Sequence, residues 1–188
     1  MAFYPEGKTA PEELRTDRIW LRPLRTTDVD MDYDAVMASA EMLHLWGQHD
    51  WPSEGFTLAG NLADLEWHEM EHKERTAFTY TVVDPAGTRC LGCVYIVPLW
   101  EGERALGEGA AYPADVAFWV RASEVAAGLD AHLLATLRDW FAKAWAFDRV
   151  VYRVSAQYAH HAGLFEAAGL SRCLNFVAKD GARWFVFG

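Results

Sequence analysis

The segment that most constrains the fold is a strand that runs through a glycine-bearing turn into a long amphipathic helix and then another strand. DVAFWV, residues 115–120, is apolar enough for a buried strand, and VRASEVAAGLD links it to a helix expected over about 128–146. DRVVYRVSA then has the β-branched composition of a further strand. Two strands joined through one helix are expected to run parallel in the same sheet.

Strands and helices alternate less regularly in the rest of the chain. A first strand is indicated by RIWLRPL. A helix capped by Thr27 or Asp28 is predicted for TTDVDMDYDAVMASAEMLHLW, and a second helix for LAGNLADLEWHEMEHKE. FTYTVVD and RCLGCVYIVPL flank a hairpin turn, YAHHAGLFEAAG is a short helix ended by Gly169, and LSRCLNFVAKDGARWFVFG is a closing hairpin. This order predicts an α+β protein with a mixed sheet. At 188 residues, we expect one domain spanning 1–188.

Charge and hydropathy exclude several classes of partner. The net charge is −10 with a pI of about 5.1, so DNA and RNA would be repelled and no nucleic-acid partner is expected. No apolar run reaches the length of a membrane span, and MAFYPEGKTAPEEL lacks a signal-peptide pattern. The sequence therefore predicts a cytoplasmic protein that does not associate with membranes.

Cys90 and Cys93 form the C-x-x-C of RCLGCVYIVPL. In a regular strand, residues three apart point to opposite faces, and no second cysteine pair or histidine pair follows at zinc-ribbon spacing. We therefore interpret them as ordinary strand cysteines and expect no metal site here.

HEMEH, His68 to His72, matches the H-E-x-x-H pattern of zinc hydrolases, in which Glu69 would be the base. Its surroundings, LEWHEMEHKER, are charged, and no third ligand is marked downstream. A solvated helix is the favoured interpretation, with a zinc hydrolase as a distant alternative.

Three segments together resemble the GNAT acetyltransferase superfamily, especially the branch that acetylates ribosomal-protein N-termini and small amines. TDRIWLRPLRTTDVD is similar to its opening strand and helix, DVAFWV to its fourth strand, and DRVVYRVSAQYAHHAGLFEAAGL to its fifth strand and following helix. The resemblance implies a GNAT-like mixed central sheet flanked by helices, with splayed fourth and fifth strands. It also implies direct acetyl transfer from acetyl-CoA, as co-substrate, to a small amine or a peptide N-terminus.

The resemblance assigns the cofactor contacts to two backbone segments. Phe118, Trp119 and Val120 would meet pantetheine, and the N–H groups of the following turn would hold the pyrophosphate. Those N–H groups belong to Ala126, Ala127, Gly128 and Leu129. In the family this turn reads Arg or Gln, two residues, Gly, any residue, then Gly or Ala. Here only Gly128 is kept: Val125 stands at the basic position, Ala126 at the first glycine and Asp130 at the last small residue.

Asp130 is the most serious departure from the pattern. Two unit charges 4 Å apart repel by about 1 kcal/mol in water and about 4 kcal/mol at a dielectric of 20. That corresponds to roughly one to three decades of affinity for a phosphate. Alternatively, the helix begins at a Ser123 cap with no cradle, and Asp130 supplies the charge that favours a helix N-terminus. The sequence leaves both readings open.

The resemblance also implies catalytic and acceptor residues. Asp115 matches an acid or base position at the start of the fourth strand and would act as base, through water; it could equally be an ordinary strand-start residue. The family's acidic tyrosine is Phe165 here, so Tyr158 becomes the candidate acid, with His160 and His161 nearby. The loop between the first helices would shape the acceptor pocket with Trp46, Trp51 and Glu54. Its tryptophans could instead only anchor the loop.

A second function class is a GNAT-fold protein whose acyl-CoA site is disabled and which binds a ligand or partner. Val125, Asp130 and Phe165 motivate it. The aromatic C-terminal segment ARWFVFG could also be an edge strand that pairs across a homodimer.

Overall fold

The computed structural model describes residues 3–188 and contains one eight-stranded sheet in the order β1-β2-β3-β4-β5-β6-β8-β7. The strands are β1 Leu14–Arg15, β2 Trp20–Pro23, β3 Phe78–Val83, β4 Cys90–Val97, β5 Pro113–Val120, β6 Arg149–Ser155, β7 Arg172–Val177 and β8 Arg183–Phe187. The helices are α1 Val29–Met37, α2 Ala40–Gly47, α3 Leu58–Glu74, α4 Ala122–Val125, α5 Leu129–Ala144 and α6 Ala159–Ala167. Two 3₁₀ turns cover Thr26–Asp28 and Glu101–Gly107.

The strand pairing confirms the predicted mixed sheet. Among the described strands, β5 and β6 form the one parallel pair, and α5 connects them; the other neighbours are antiparallel. Strands β5 and β6 correspond to the fourth and fifth strands predicted from the sequence, because the short β1 precedes the RIWLRPL strand. Within residues 3–188, no helix is long and apolar enough to cross a bilayer.

Alternation along β5 separates two hydrophobic layers. One set of β5 side chains packs with α5 and α6, and it consists of Ala114, Val116, Phe118 and Val120. The other face carries Trp119, which packs with residues of α1, α2 and α3 such as Val36, Leu43 and Leu65. Each strand residue therefore faces either the α5 layer or the α1–α3 layer, as the period of two in a strand requires.

Two expectations about the elements are wrong. The first predicted helix is divided at Ser39, whose buried side-chain oxygen accepts the N–H of Ala122 at 3.1 Å. Asp28 occupies the N-cap position of α1, as predicted, although its carboxylate makes no cap bond because Arg22 holds it at 2.6 and 2.8 Å. The C-terminal segment is not an edge strand, since β8 lies between β6 and β7.

Cys90 and Cys93 lie in a strand as predicted, but a β-bulge in β4 overturns the prediction that they point to opposite faces. Val82 pairs with Gly92 and Val83 with Cys90, so Leu91 is an extra residue without a partner. The extra residue reverses the alternation, and Cys90 and Cys93 point to the same face, toward Asp32. Gly92 permits this backbone: its φ is +154°, and a Cβ there would lie 2.1 Å from the carbonyl oxygen of Trp119.

Gly92→Ala should destabilise the protein by about 2–4 kcal/mol, because strain at this φ adds to a clash with backbone. Urea denaturation measures it. Gly163→Ala is the matched control, since it lies in α6 with nothing within 4 Å of its added Cβ. The control should change stability by less than about 1 kcal/mol. Equal effects of the two substitutions would contradict the role of the bulge.

Candidate functional site

The parallel pairing of β5 and β6 stops midway. It runs from Pro113 opposite Arg149 to Val116 opposite Tyr152, after which β6 continues only against β8. The two strands therefore diverge beyond Val116. This is the splay that the resemblance implied, and it opens the sheet between its two helical layers.

Helix α2 lies across the divergence and forms a hydrogen bond with each of the two strands. The indole Nε1 of Trp46 donates to the carbonyl oxygen of Phe118 at 2.7 Å. On the other strand, the hydroxyl of Ser155 donates to the carbonyl oxygen of Leu45 at 2.6 Å. The carbonyl of Phe118, predicted to meet pantetheine, is thus already hydrogen-bonded in this structure.

The backbone direction of β5 corrects one predicted cofactor contact. The N–H of Arg121 donates to Leu91 of β4 at 2.7 Å, and the carbonyl of Trp119 faces Gly92 of the same strand. Because backbone groups alternate between the two edges of a strand, those of Phe118 and Val120 face the divergence. Trp119 therefore cannot offer its backbone to a ligand between β5 and β6, while Phe118 and Val120 lie on the correct edge.

The turn after β5 is present, which excludes one continuous helix starting at Ser123. Helix α4 ends at Val125, and Gly128 adopts a left-handed φ of +67° before α5 begins at Leu129. Two of the four predicted pyrophosphate donors are used inside the turn. The N–H of Ala127 donates to Glu124 at 3.1 Å and that of Gly128 to Val125 at 2.9 Å.

Asp130 carries the negative charge at the N-terminus of α5. Its side chain is only 2% exposed, and its Oδ1 accepts the N–H of Ala131 at 2.8 Å. Its Oδ2 contacts Nε2 of His160, the second residue of α6. A carboxylate at this position is favoured by the helix dipole, as a bound phosphate would be.

Aromatic side chains of α6 pack against β5 on the same side. The ring of His161 lies 5.1 Å from that of Phe118 and 4.6 Å from that of Tyr158. Phe165 stacks on Phe118 at 5.8 Å. Burial lowers the pKa of His161 to about 3, so its imidazole is neutral near pH 7. Burial and then the charge of Asp130 raise the pKa of Tyr158 to about 12, which keeps its phenol protonated.

The opposite side of the divergence holds a cavity of about 640 Å³. Trp46, Trp51 and Ala117 line it, together with four aspartates from four segments: Asp32, Asp50, Asp64 and Asp180. Predicted Glu54 is exposed and does not line the cavity. The loop is held instead by Trp51, whose Nε1 donates to Asp64 at 3.2 Å, and by Tyr33, whose hydroxyl donates to Phe56 at 2.9 Å.

Asp115 belongs to a buried charge cluster beside the cavity. Arg153, which lines the cavity, approaches Asp115 to 2.9 Å, and its guanidinium lies 3.4 Å from the ring centre of Trp100. This ion pair lacks hydrogen-bond alignment. Both carboxylate oxygens of Asp115 and the Nε and Nη1 of Arg153 therefore have no hydrogen-bond partner. Burial raises the pKa of Asp115 to about 7, opposed by Arg153 and reinforced by Glu103. Asp115 itself is fully buried and does not line the cavity.

The HEMEH segment lies on α3 facing β3. His68 lines the cavity, and its Nδ1 lies 3.1 Å from Glu71. His72 packs on Phe78 and Tyr80, and burial lowers the pKa of its imidazole. Neither histidine points into solvent as the sequence suggested. No three-ligand group that includes them occurs in the part of the chain that the structure describes.

The sequence matches no protein-family model and no curated protein. Its structure, however, resembles solved acetyltransferases over nearly its whole length. RimL, a ribosomal L7/L12 α-N-protein acetyltransferase in complex with coenzyme A, gives a TM-score of 0.74 at 13% identity, covering 94% of this chain and 96% of that one. Mycobacterium smegmatis RimJ in complex with CoA-disulfide gives 0.74 at 18% identity, covering 98% and 88%. A GnaT-family acetyltransferase from Bordetella pertussis gives 0.68 at 20%, covering 94% and 98%.

The protein therefore has the GNAT acetyltransferase fold that the sequence resemblance implied. Its structural neighbours include ribosomal-protein acetyltransferases, two of them solved with coenzyme A or its disulfide. At 20% identity or less, these likenesses establish the fold.

The buried imidazole of His161 should make stability fall in acid. The unfolded chain binds a proton near pH 6.5 but the folded chain only near pH 3, so stability is full above 6.5 and is lost as pH falls. Relative to pH 7.5, the loss at pH 5 from this residue should be about 1–2 kcal/mol. Urea denaturation at both pH values should show a smaller loss in His161→Gln. Parallel pH dependence in both proteins would contradict burial of a neutral imidazole.

Proposed function

We propose that the protein is an acetyl-CoA-dependent N-acetyltransferase that transfers the acetyl group directly to a primary amine in the 640 Å³ cavity. The observation that carries this proposal is the position of the cavity. It lies against Ala117 and Arg153, at the point where β5 and β6 diverge. A thioester entering between the strands from the α5 side would reach the cavity wall there.

The cavity walls suit a cationic acceptor. Four aspartates face one arginine, so an ammonium group is attracted, and tryptophan rings such as Trp46 and Trp51 can contact its carbon chain or its charge. Both a small amine and a peptide N-terminus fit this chemistry. Trp46 and Trp51 would thus have the acceptor role predicted from the sequence, with Asp64 replacing Glu54 as the carboxylate.

The buried charge cluster supplies a candidate base. A carboxyl group with a pKa of about 7 can accept a proton from an ammonium group near neutral pH. Because Asp115 is buried behind Arg153, the proton would travel through a water molecule, and Arg153 would position the carboxylate. The free amine then attacks the thioester carbonyl carbon, the C–S bond breaks, and the departing thiolate takes a proton from Tyr158. The second proton that the nitrogen loses as the amide forms leaves through water, and water reprotonates Tyr158. Its protonated phenol lies on the α6 side of β5, where the sulfur would emerge.

Release of free CoA thiol from acetyl-CoA, measured across a panel of primary amines and N-terminal peptides, tests the activity. Asp115→Asn should lower kcat by about 100-fold or more and remove a rise in rate between pH 6 and 8. Exposed Asp139→Asn in α5 is the control and should leave rate and pH profile unchanged. No thiol release with any acceptor would reject the enzyme; an unchanged profile in Asp115→Asn would reject only this base.

A second function remains a candidate because the cofactor side is already occupied by the protein's own groups. Asp130 and His160 cover the N-terminus of α5, and Trp46 holds the Phe118 carbonyl. A GNAT-fold module that keeps the cavity for a cationic ligand, without acyl transfer, would have these features.

Calorimetric titration with acetyl-CoA separates the two functions. Asp130→Asn, and more so the double variant Val125→Arg with Asp130→Gly, should raise affinity by about 10-fold or more because phosphate repulsion is removed. The gain should shrink at high salt. Micromolar binding by the unaltered protein favours the enzyme. Absent binding that the double variant restores favours the disabled site, and no gain in either variant excludes charge repulsion as the cause.

A further inference from the structure

Three potential metal ligands converge on the wall of the cavity. Asp32 of α1 and both Cys90 and Cys93 of β4 are buried, and their ligand atoms lie within 4.8 Å of one another. The two Sγ atoms lie 3.8 and 3.5 Å from the same oxygen, Oδ1 of Asp32. No other such group of three occurs among residues 3–188. None of the three has a catalytic part in the proposed transfer.

These distances fit a tetrahedral ion. With Zn–S near 2.3 Å and Zn–O near 2.1 Å, tetrahedral angles place sulfur and oxygen ligands about 3.6 Å apart. The two observed separations lie on either side of that value. The bulge at Leu91 is what brings the second thiol to this face, since a regular strand would send it to the other layer. Both sulfur–oxygen separations are therefore close to those of ligands that share one tetrahedral ion.

A hydrogen bond from Asn61 orients the carboxylate of Asp32. Asn61 of α3, fully buried, donates its Nδ2 to Oδ2 of Asp32 at 2.9 Å. That bond leaves Oδ1 directed toward the two sulfurs. Metal-binding carboxylates are typically held by such outer hydrogen bonds, which fix the ligand oxygen before the ion arrives.

Asp32 also lacks a cationic partner. No lysine, arginine or histidine forms an ion pair with it in the described part of the chain. Thiols are weak donors, so they compensate a buried carboxylate poorly. A divalent cation bound among these three groups would supply the missing positive charge.

We propose that Asp32, Cys90 and Cys93 bind a thiophilic divalent cation, zinc(II) foremost, with a fourth coordination position open to the cavity. Asp32 and Cys93 line the cavity, which gives the ion its path of entry. Binding replaces the two thiol protons, which leave to solvent, with two metal–sulfur bonds. The open position takes water or a donor atom of a molecule in the cavity. The site stands whether or not the protein transfers acetyl groups.

Cobalt(II) is the spectroscopic probe for this site. The full-length chain is reduced, its three free thiols are verified, and cobalt(II) is titrated anaerobically. We expect one cobalt per chain, with an intense near-ultraviolet band from sulfur-to-cobalt charge transfer, and displacement of the cobalt by one equivalent of zinc(II). A folded, fully reduced chain that gives no such band overturns the proposal, and this readout needs no variant and no enzymatic activity.

Variants locate the ion. Cys90→Ala and Cys93→Ala should abolish the band, and the nearly isosteric Asp32→Asn should weaken cobalt binding by about 10-fold or more. Cys173→Ala, which removes the exposed third thiol, is the matched control and should keep the band. A band that survives Cys93→Ala, or that disappears in Cys173→Ala, places the ion elsewhere and overturns the proposal. If the buried cysteine variants fail to fold, Asp32→Asn decides the location.

Discussion

The rest of the site depends on the separation of β5 and β6 beyond Val116, where the hydrogen bond from Trp46 pairs the exposed carbonyl of Phe118. Two parallel strands that separate expose backbone donors and acceptors, and such groups are rarely left unpaired in a protein interior. Helix α2 bonds to both strands: the Trp46 indole pairs the exposed backbone carbonyl of Phe118, and the Leu45 carbonyl accepts the side-chain hydroxyl of Ser155. The division of the first predicted helix at Ser39 is what allows α2 to turn across the gap. The cavity on one side and the turn at Gly128 on the other are both defined by this arrangement.

Buried charge is distributed unevenly about the gap. On the α5 side, the carboxylate of Asp130 contacts the imidazole of His160 at a helix N-terminus. On the cavity side, Asp115 and Glu103 flank a single arginine, and several polar atoms there have no partner. Unpaired polar atoms in a protein interior are costly, and their concentration beside a cavity is typical of a site built for a ligand or for proton transfer. Near the gap, the unpaired polar atoms of Asp115, Glu103 and Arg153 therefore lie on the cavity side, whereas Asp130 and His160 contact each other on the α5 side.

Much of the fold was predictable because it depends on local periodicity. LAGNLADLEWHEMEHKE gave α3 with its observed bounds, and the crossover from DVAFWV through α5 to β6 followed from composition and length. The bulge at Leu91 was not predictable, because β4 is apolar and largely buried on both faces, so its sequence has no alternation that an extra residue could shift. The only sequence hint is Gly92 in the middle of an apolar strand.

The site was harder to predict than the fold. Asp115 and Trp51 were found through the family resemblance, but Arg153 and Glu103 were missed, since each is an unremarkable charge in its own segment. Arg153 and Glu103 meet Asp115 only in the folded protein, where β6 pairs with β5 and the 3₁₀ turn Glu101–Gly107 brings Glu103 close to them. Asn61 was missed for the same reason: it lies on a helix face whose partner, Asp32, is 29 residues away in the chain.

The walls of the cavity also have an optical consequence. Four of the nine tryptophans line it: Trp46, Trp51, Trp100 and Trp184. Trp100 carries a guanidinium at 3.4 Å from its ring centre, and Trp46 donates its indole N–H to the strand at the gap. The indole excited state responds to nearby charge and hydration. The protein thus contains its own fluorophores at the place where a ligand would arrive, and its ultraviolet emission reports occupancy of the cavity without any label.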